Sequence, residues 1–235
     1  MTASKTCFDR ILPRDLRTGP EPAVQVEATP RAAFERKKLW PLGATLRIAF
    51  LDGSSEQQEI VRRFAPTWTQ HANLKFDFVN NHDPDIRITF DPNDGAWSYI
   101  GLDCKTIPRS APTMNLGWQD EGVVLHEFGH ALGMIHEHQN PTGGIKWNKE
   151  AVYRDLSGPP NNWDRATIDN NMFAVYARDQ VNSTRVDKLS IMLYTVPKEW
   201  TVDGFSSKPN EVLSRIDKTF IGDARNYPMS GPRAA

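Results

Sequence analysis

Apolar and polar residues begin to alternate at Thr45. Leu46, Ile48 and Phe50 are separated by Arg47 and Ala49, a period of two that predicts a strand. Gly53, Ser54 and Ser55 then supply a turn and a helix N-cap. Ile60, Val61, Phe64 and Trp68 recur at helical spacing, which predicts a helix over 55–71 with a bend at Pro66. Alternation returns at Leu74, Phe76 and Phe78, and again at Ile86, Ile88 and Phe90, giving two more strands. Shorter strand candidates at 97–101 and 113–116 are bounded by Asp, Gly and Pro. Residues 121–133 read as a helix. Past Asn140 the periodicity weakens, and Gly143-Gly144, Pro159-Pro160 and Asn161-Asn162 punctuate a loop-rich half. Only 210–226 looks helical there, with Val212, Leu213, Ile216, Phe220 and Ile221 on one side and Pro228 as a stop. The first forty residues carry Pro13, Pro20, Pro22 and Pro30 and then a charged stretch at 31–38. They read as an irregular leader with at most a short helix over 31–39.

Composition narrows the function classes. Lys and Arg total 28 against 29 Asp and Glu in 235 residues, a net charge of -1. Such balance argues against a polybasic nucleic-acid binder. No apolar run approaches the roughly 18–20 residues that span a bilayer, and the N-terminus has no apolar core of a Sec signal peptide. The expected compartment is therefore the cytoplasm or a destination reached by a non-Sec route. Two cysteines, Cys7 and Cys104, are too few for a disulfide framework.

The histidines change this picture. Of six in the chain, His126, His130, His136 and His138 fall within thirteen residues. His126 and His130 are four apart, so a helix projects both from one face, where two imidazoles can share a metal ion. Glu127 lies beside them and can reach a water at the metal without being a ligand. His136 would lie about 9 Å farther along the axis if the helix continued, too far to join them. The helix must break, and Gly133 stands where a left-handed residue can reverse the chain. The fragment thus reads as two ligands, a base, a hinge and a third ligand. His138 is read as a supporting or surface group, and His71 and His82 as solvated.

The pattern His126-Glu127-x-x-His130-x-x-Gly133-x-x-His136 resembles the metzincin zinc peptidases. Those enzymes carry a methionine turn downstream of the third histidine. Ser190-Ile191-Met192-Leu193-Tyr194 matches it, with Met192 56 residues after His136 (192 minus 136). The serine and tyrosine in that turn are similar to the astacin branch. Trp97, Ser98, Tyr99, Ile100 and Gly101 resemble the astacin edge strand that receives substrate. Leu39-Trp40-Pro41 resembles the start of the mature astacin domain, and 213–227 its C-terminal helix. The chain departs from the family after Glu137-His138, where Gln139-Asn140 replaces the usual pattern. Leu193 stands where animal members often have histidine, and their paired cysteines are missing. A microbial-type relative is implied.

The resemblance implies an α+β, two-lobed zinc peptidase with a twisted, mostly parallel sheet, a backing helix and an active-site helix. A loop-rich C-terminal lobe with one C-terminal helix would follow. Residues 1–38 would be a leader or pro-segment, 39–136 the upper lobe, 137–228 the lower lobe and 229–235 a tail. One Zn2+ would be held by His126, His130 and His136, with Glu127 as general base to a metal-bound water. Tyr194 would be an extra ligand or an oxyanion donor, and Met192 a packed floor. Glu137 matches the glutamate that contacts the trimmed N-terminus of mature members. The expected function is endopeptidase action on protein or peptide substrates, by a monomer that engages neither nucleic acid nor a membrane. Cys7 has three readings: a thiolate latch on the zinc of a zymogen cut within 31–38, a free thiol, or a disulfide with Cys104. Two rivals stand beside the peptidase. One is a zinc-stabilised binding protein, which would not need Glu127. The other is a non-haem iron enzyme, which would prefer two histidines and a carboxylate.

Overall fold

The computed structural model describes residues 31–229, apart from 81–82, 142–143, 160, 177–180 and 185. Five strands form one sheet in the order β3-β2-β4-β6-β5: β2 (Thr45–Phe50), β3 (Lys75–Phe78), β4 (Ile86–Thr89), β5 (Ala96–Ser98) and β6 (Met114–Leu116). β2 pairs in parallel with β3 and β4, β4 pairs in parallel with β6, and only β5 runs antiparallel at one end. The mostly parallel sheet expected from the sequence is present.

Parallel neighbours need a crossover, and β2 reaches β3 through helix α1 (Ser55–Phe64) and a 3-10 turn (Ala65–Gln70). Ser54 and Gln57 form a reciprocal capping box at the start of α1. Pro66 enters the turn in its first positions, where the missing N–H costs nothing, so the helix changes form rather than only bending. Leu46, Ile48, Ile86 and Ile88 are buried on the core side with Val61 and Trp68. Arg62 lays its guanidinium over the rings of Phe50 and Phe78, at 4.9 and 4.8 Å from their centroids.

Arg87, between Ile86 and Ile88 on β4, is buried. Its guanidinium donates to the carbonyls of Ala111, Ile107 and Cys104 at 2.7, 3.1 and 3.3 Å. It ties down the segment that leads into β6. Cys104, in that segment, is a free buried thiol.

The first described residues overturn the short helix expected over 31–39. Arg31–Glu35 is a strand, β1, antiparallel to β7 (Val181–Thr184), and a 3-10 turn, Arg36–Lys38, follows it. The lower half also holds more helix than its weak periodicity suggested. α3 (Lys149–Leu156) is capped by Asn148 and α4 (Arg165–Ile168) by Asp164. Ala151, Val152, Leu156, Ile168 and Met172 build a second core with Val196 and Trp200. The C-terminal helix α5 is Arg215–Ile221, much shorter than 210–226, because Ser214 and Asp217 form a capping box that starts it late. Among the described residues no helix is long and apolar enough to cross a membrane.

Candidate active site

Helix α2 (Glu121–Ala131) carries the histidines behind the sheet. Asp120 caps it by accepting the Val123 N–H at 2.8 Å. Its residues from Val124 to Ala131 are all buried, so it is a core helix rather than an amphipathic one. Its last carbonyls are met from far along the chain. The Trp40 indole donates to Ala131 O at 2.8 Å and the Tyr227 hydroxyl to Leu132 O at 2.8 Å, while that hydroxyl accepts the Trp40 N–H at 3.0 Å.

Gly133 breaks the helix as expected, with φ of 103°. The reversal does two things. It folds the Met134 carbonyl back to the Nδ1 of His130 at 2.8 Å, and it returns the chain so that His136 meets the other two histidines. The Nε2 atoms of His126, His130 and His136 lie 3.1 Å from one another, and all three residues are buried. The His126 Nδ1 lies 2.7 Å from the Ile191 carbonyl. A carbonyl only accepts, so the Nδ1 of His126 and of His130 carries the proton and their Nε2 lone pairs are bare. Bare lone pairs aimed at one point repel unless a cation stands there. The centre of a triangle of side 3.1 Å is about 1.8 Å from each corner, close to the zinc–nitrogen bond of about 2.0–2.1 Å. The residues fit a zinc ion. Burial, with the neighbouring His126 and His138, holds the His136 pKa well below the ordinary histidine value, so that imidazole is neutral as a ligand must be.

The methionine turn closes the site from below. Met192 is buried, its Sδ is pressed against Gly129, and its carbonyl accepts the Glu137 N–H at 2.9 Å. The turn is itself held by Asp217, which sequence reasoning missed. Asp217 accepts from the Ser190 hydroxyl at 2.7 Å and from the Ile191 and Ser214 N–H groups at 2.9 Å each. Asn210 adds donations to Ser190 O and Lys188 O at 2.8 and 3.1 Å. The signal available for Asp217 was the Ser214-x-x-Asp217 box before an apolar run.

The other expected site residues fall in several places. Glu127 is fully buried and lines a cavity together with His126 and Tyr194. The Tyr194 ring lies 4.2 Å from that of His136 and 4.6 Å from that of His138. Glu137 accepts the Asp187 N–H at 2.9 Å, and burial raises its pKa well above the usual carboxylate range. His138 is buried rather than a surface group and bonds the Asn171 carbonyl at 2.7 Å. His71 is half-buried rather than solvated. β5 is the end strand of the sheet, but it stops at Ser98, and the side chains of Trp97, Ser98, Tyr99 and Ile100 are buried. Gly101 opens a 3-10 turn instead of extending the strand. It has φ of 50°, and a Cβ there would lie 2.1 Å from the Lys38 carbonyl oxygen. Cys7 and His82 lie outside the described residues.

Comparison with known proteins decides the family. The family model described as Astacin, a peptidase family, matches residues 33–204. The chain belongs to the astacin family. A solved structure of myroilysin superposes on this astacin-family chain with a TM-score of 0.80 at 39% identity, covering 86% of this chain and 100% of that one. Blastula protease 10 of Paracentrotus lividus is 26% identical over 198 residues, which is 79% of this chain and 31% of that protein. Zinc metalloproteinase nas-24 of Caenorhabditis elegans is 26% identical over 137 residues, 57% of this chain and 34% of that protein. The chain thus spans no more than about a third of these curated relatives. The astacin domain here is of the zinc metalloendopeptidase type, with an α+β metzincin fold, and zinc is the metal its three histidines suit.

Proposed function

We propose that this astacin domain hydrolyses peptide bonds within protein substrates. The observation that carries the reading is the convergence of three Nε2 lone pairs at one point, with the Glu127 carboxylate on the same cavity. His126, His130 and His136 hold the zinc. Zinc supplies Lewis acidity, lowering the pKa of water and polarising a carbonyl. Glu127 takes the proton of the attacking water and returns it to the leaving amine. Tyr194, packed against His136 and His138, donates a hydrogen bond from its phenol to the developing oxyanion. Met192 is the floor beneath the histidines, and Glu137 anchors the segment that carries His136. The peptide lies extended along β5, whose place at the end of the sheet suits an added strand.

The test is paired. Bound zinc and cleavage of casein are measured for the wild type and for Glu127→Ala, with a chelator control, before and after limited proteolysis. The expected result is a variant that keeps its zinc and loses at least about a hundredfold in rate. Zinc retained with full activity in Glu127→Ala overturns the assignment of the base. Zinc bound by a wild type that cleaves nothing supports the zinc-stabilised binding protein instead.

Latency belongs to the same proposal. A Cys7 thiolate would complete the coordination of zinc in an uncut chain. Residues 31–35 are paired with β7, so a cut there requires that pair to open. Activity of uncut Cys7→Ala above that of uncut wild type is the expected result, and equal activity refutes the latch.

A further inference from the structure

A cavity of about 200 Å³ opens beside His126 and Glu127. That is more than ten times the roughly 10–15 Å³ one water needs, so it has room for a side chain. Part of its wall is apolar, with Ile191 and Leu193 buried and Val123 half-buried, beside the polar His126 and Glu127. The residues around it include no lysine or arginine, but Asp120 and Glu211 are both there and both solvent-exposed. Both acids stand beside Gly122 in the fold. A Cβ built on Gly122 would lie 3.3 Å from Asp120 Oδ1 and 3.2 Å from the Glu211 Cα. Asp120 spends one lone pair on the Val123 N–H and keeps the rest of its carboxylate for other donors. Glu211 makes no ion pair among the described residues. Lys188, whose carbonyl accepts from Asn210, holds its ammonium 4.2 Å from the Phe205 ring centroid.

A slot walled in part by Ile191, Leu193 and Val123, with two acids on its lining, suits a long side chain with an apolar stem and a cationic head. Lysine and arginine are the natural residues that combine the two. Resting on the peptidase reading above, we infer that this cavity takes a lysine or arginine side chain of the substrate next to the scissile bond, and that Asp120 and Glu211 set that preference. Acidic side chains are rejected by the same two carboxylates. The aliphatic stem alone gains the apolar part of the wall but not the charge of the two acids.

The experiment uses the form of the full chain that is active on casein. It cleaves matched peptides with lysine, norleucine or glutamate at each position flanking the scissile bond. The expected kcat/KM ratio of lysine to norleucine is about fivefold, and that of lysine to glutamate is larger. Both ratios shrink in 1 M salt, because the carboxylates are exposed. Glu211→Lys, an exposed substitution that leaves the fold intact, inverts the lysine-to-glutamate ratio. Asp120→Asn keeps the helix cap and lowers that ratio. Norleucine cleaved as well as lysine, or a ratio that Glu211→Lys leaves unmoved, overturns the inference while the peptidase stands. A zinc-loaded chain that cleaves none of the peptides overturns both.

Discussion

Gly129 sits in the middle of α2, one residue before the second ligand, where alanine would ordinarily improve a helix by about 0.5–1 kcal/mol. Here a Cβ would lie 2.4 Å from the Met192 Sδ, 3.3 Å from its Cε and 3.2 Å from Trp68 Cζ2. Unstrained contacts of this kind are about 3.5–4.0 Å, so the thioether must retreat by more than about 1 Å. Met192 and Trp68 are both fully buried, which leaves no open side to move into. Overpacking of this kind costs about 1–3 kcal/mol. Against the helix gain, Gly129→Ala should lose about 0.5–2 kcal/mol, a fall in Tm of roughly 1–8 °C for a chain of this size. The displacement also travels to the metal. The turn holding Met192 supplies the Ile191 carbonyl to His126 Nδ1 and the Met192 carbonyl to the Glu137 N–H. Disturbing such outer partners typically costs about 10–100-fold in metal affinity. Calorimetry of the metal-free chain and zinc competition against a chelator measure the two effects. Gly129→Ala/Met192→Ala should lose less than the sum of the single variants, since the clash is gone. A Gly129→Ala chain with a higher Tm and zinc affinity within twofold of wild type would refute the reasoning.

Other perturbations test the supports around the site. Asp217→Ala strands two buried N–H groups and the Ser190 hydroxyl and should cost about 3–5 kcal/mol by urea unfolding. Asp217→Asn, which can still accept from the amides, should cost about 1 kcal/mol; equal losses would count against the assigned bonds. Tyr227→Phe leaves the Trp40 N–H and one α2 carbonyl without their partner and should cost about 2 kcal/mol, whereas a neutral result would show that these groups find water. Burial, with help from Asp85, pushes the Cys104 thiol up to about 12 from 9.0. The unfolded thiol therefore ionises first, and the stability this group lends is intact below about pH 9 and lost as the pH climbs toward 12. Denaturant unfolding at pH 8 and pH 11 should show a smaller alkaline loss for Cys104→Ala than for wild type, and equal losses would contradict it.

Periods of two and 3.6 residues sufficed to locate β2, β3, β4 and α1, because their apolar side chains recur toward a single core. The metal ligands were legible for a similar reason. His126 and His130 are related by helix geometry, and Gly133 carries the one backbone conformation that can bring His136 back. Elements that bury little were not legible. α3 and α4 are short, and their stability comes from packing on Val196 and Trp200, far along the chain. α5 begins where its capping box allows rather than where its apolar residues begin. The burial of Arg87 was not legible either, because it rests on backbone carbonyls of a distant segment that the alternation of its own strand does not reveal. The ring orientation of His126 depends on a carbonyl 65 residues away, and that turn depends on Asp217 a further 26 residues on. Local spacing brought the three ligands to one point, since it acts over a few bonds. Their proton placement and the floor beneath them came from contacts between segments that only the folded chain brings together.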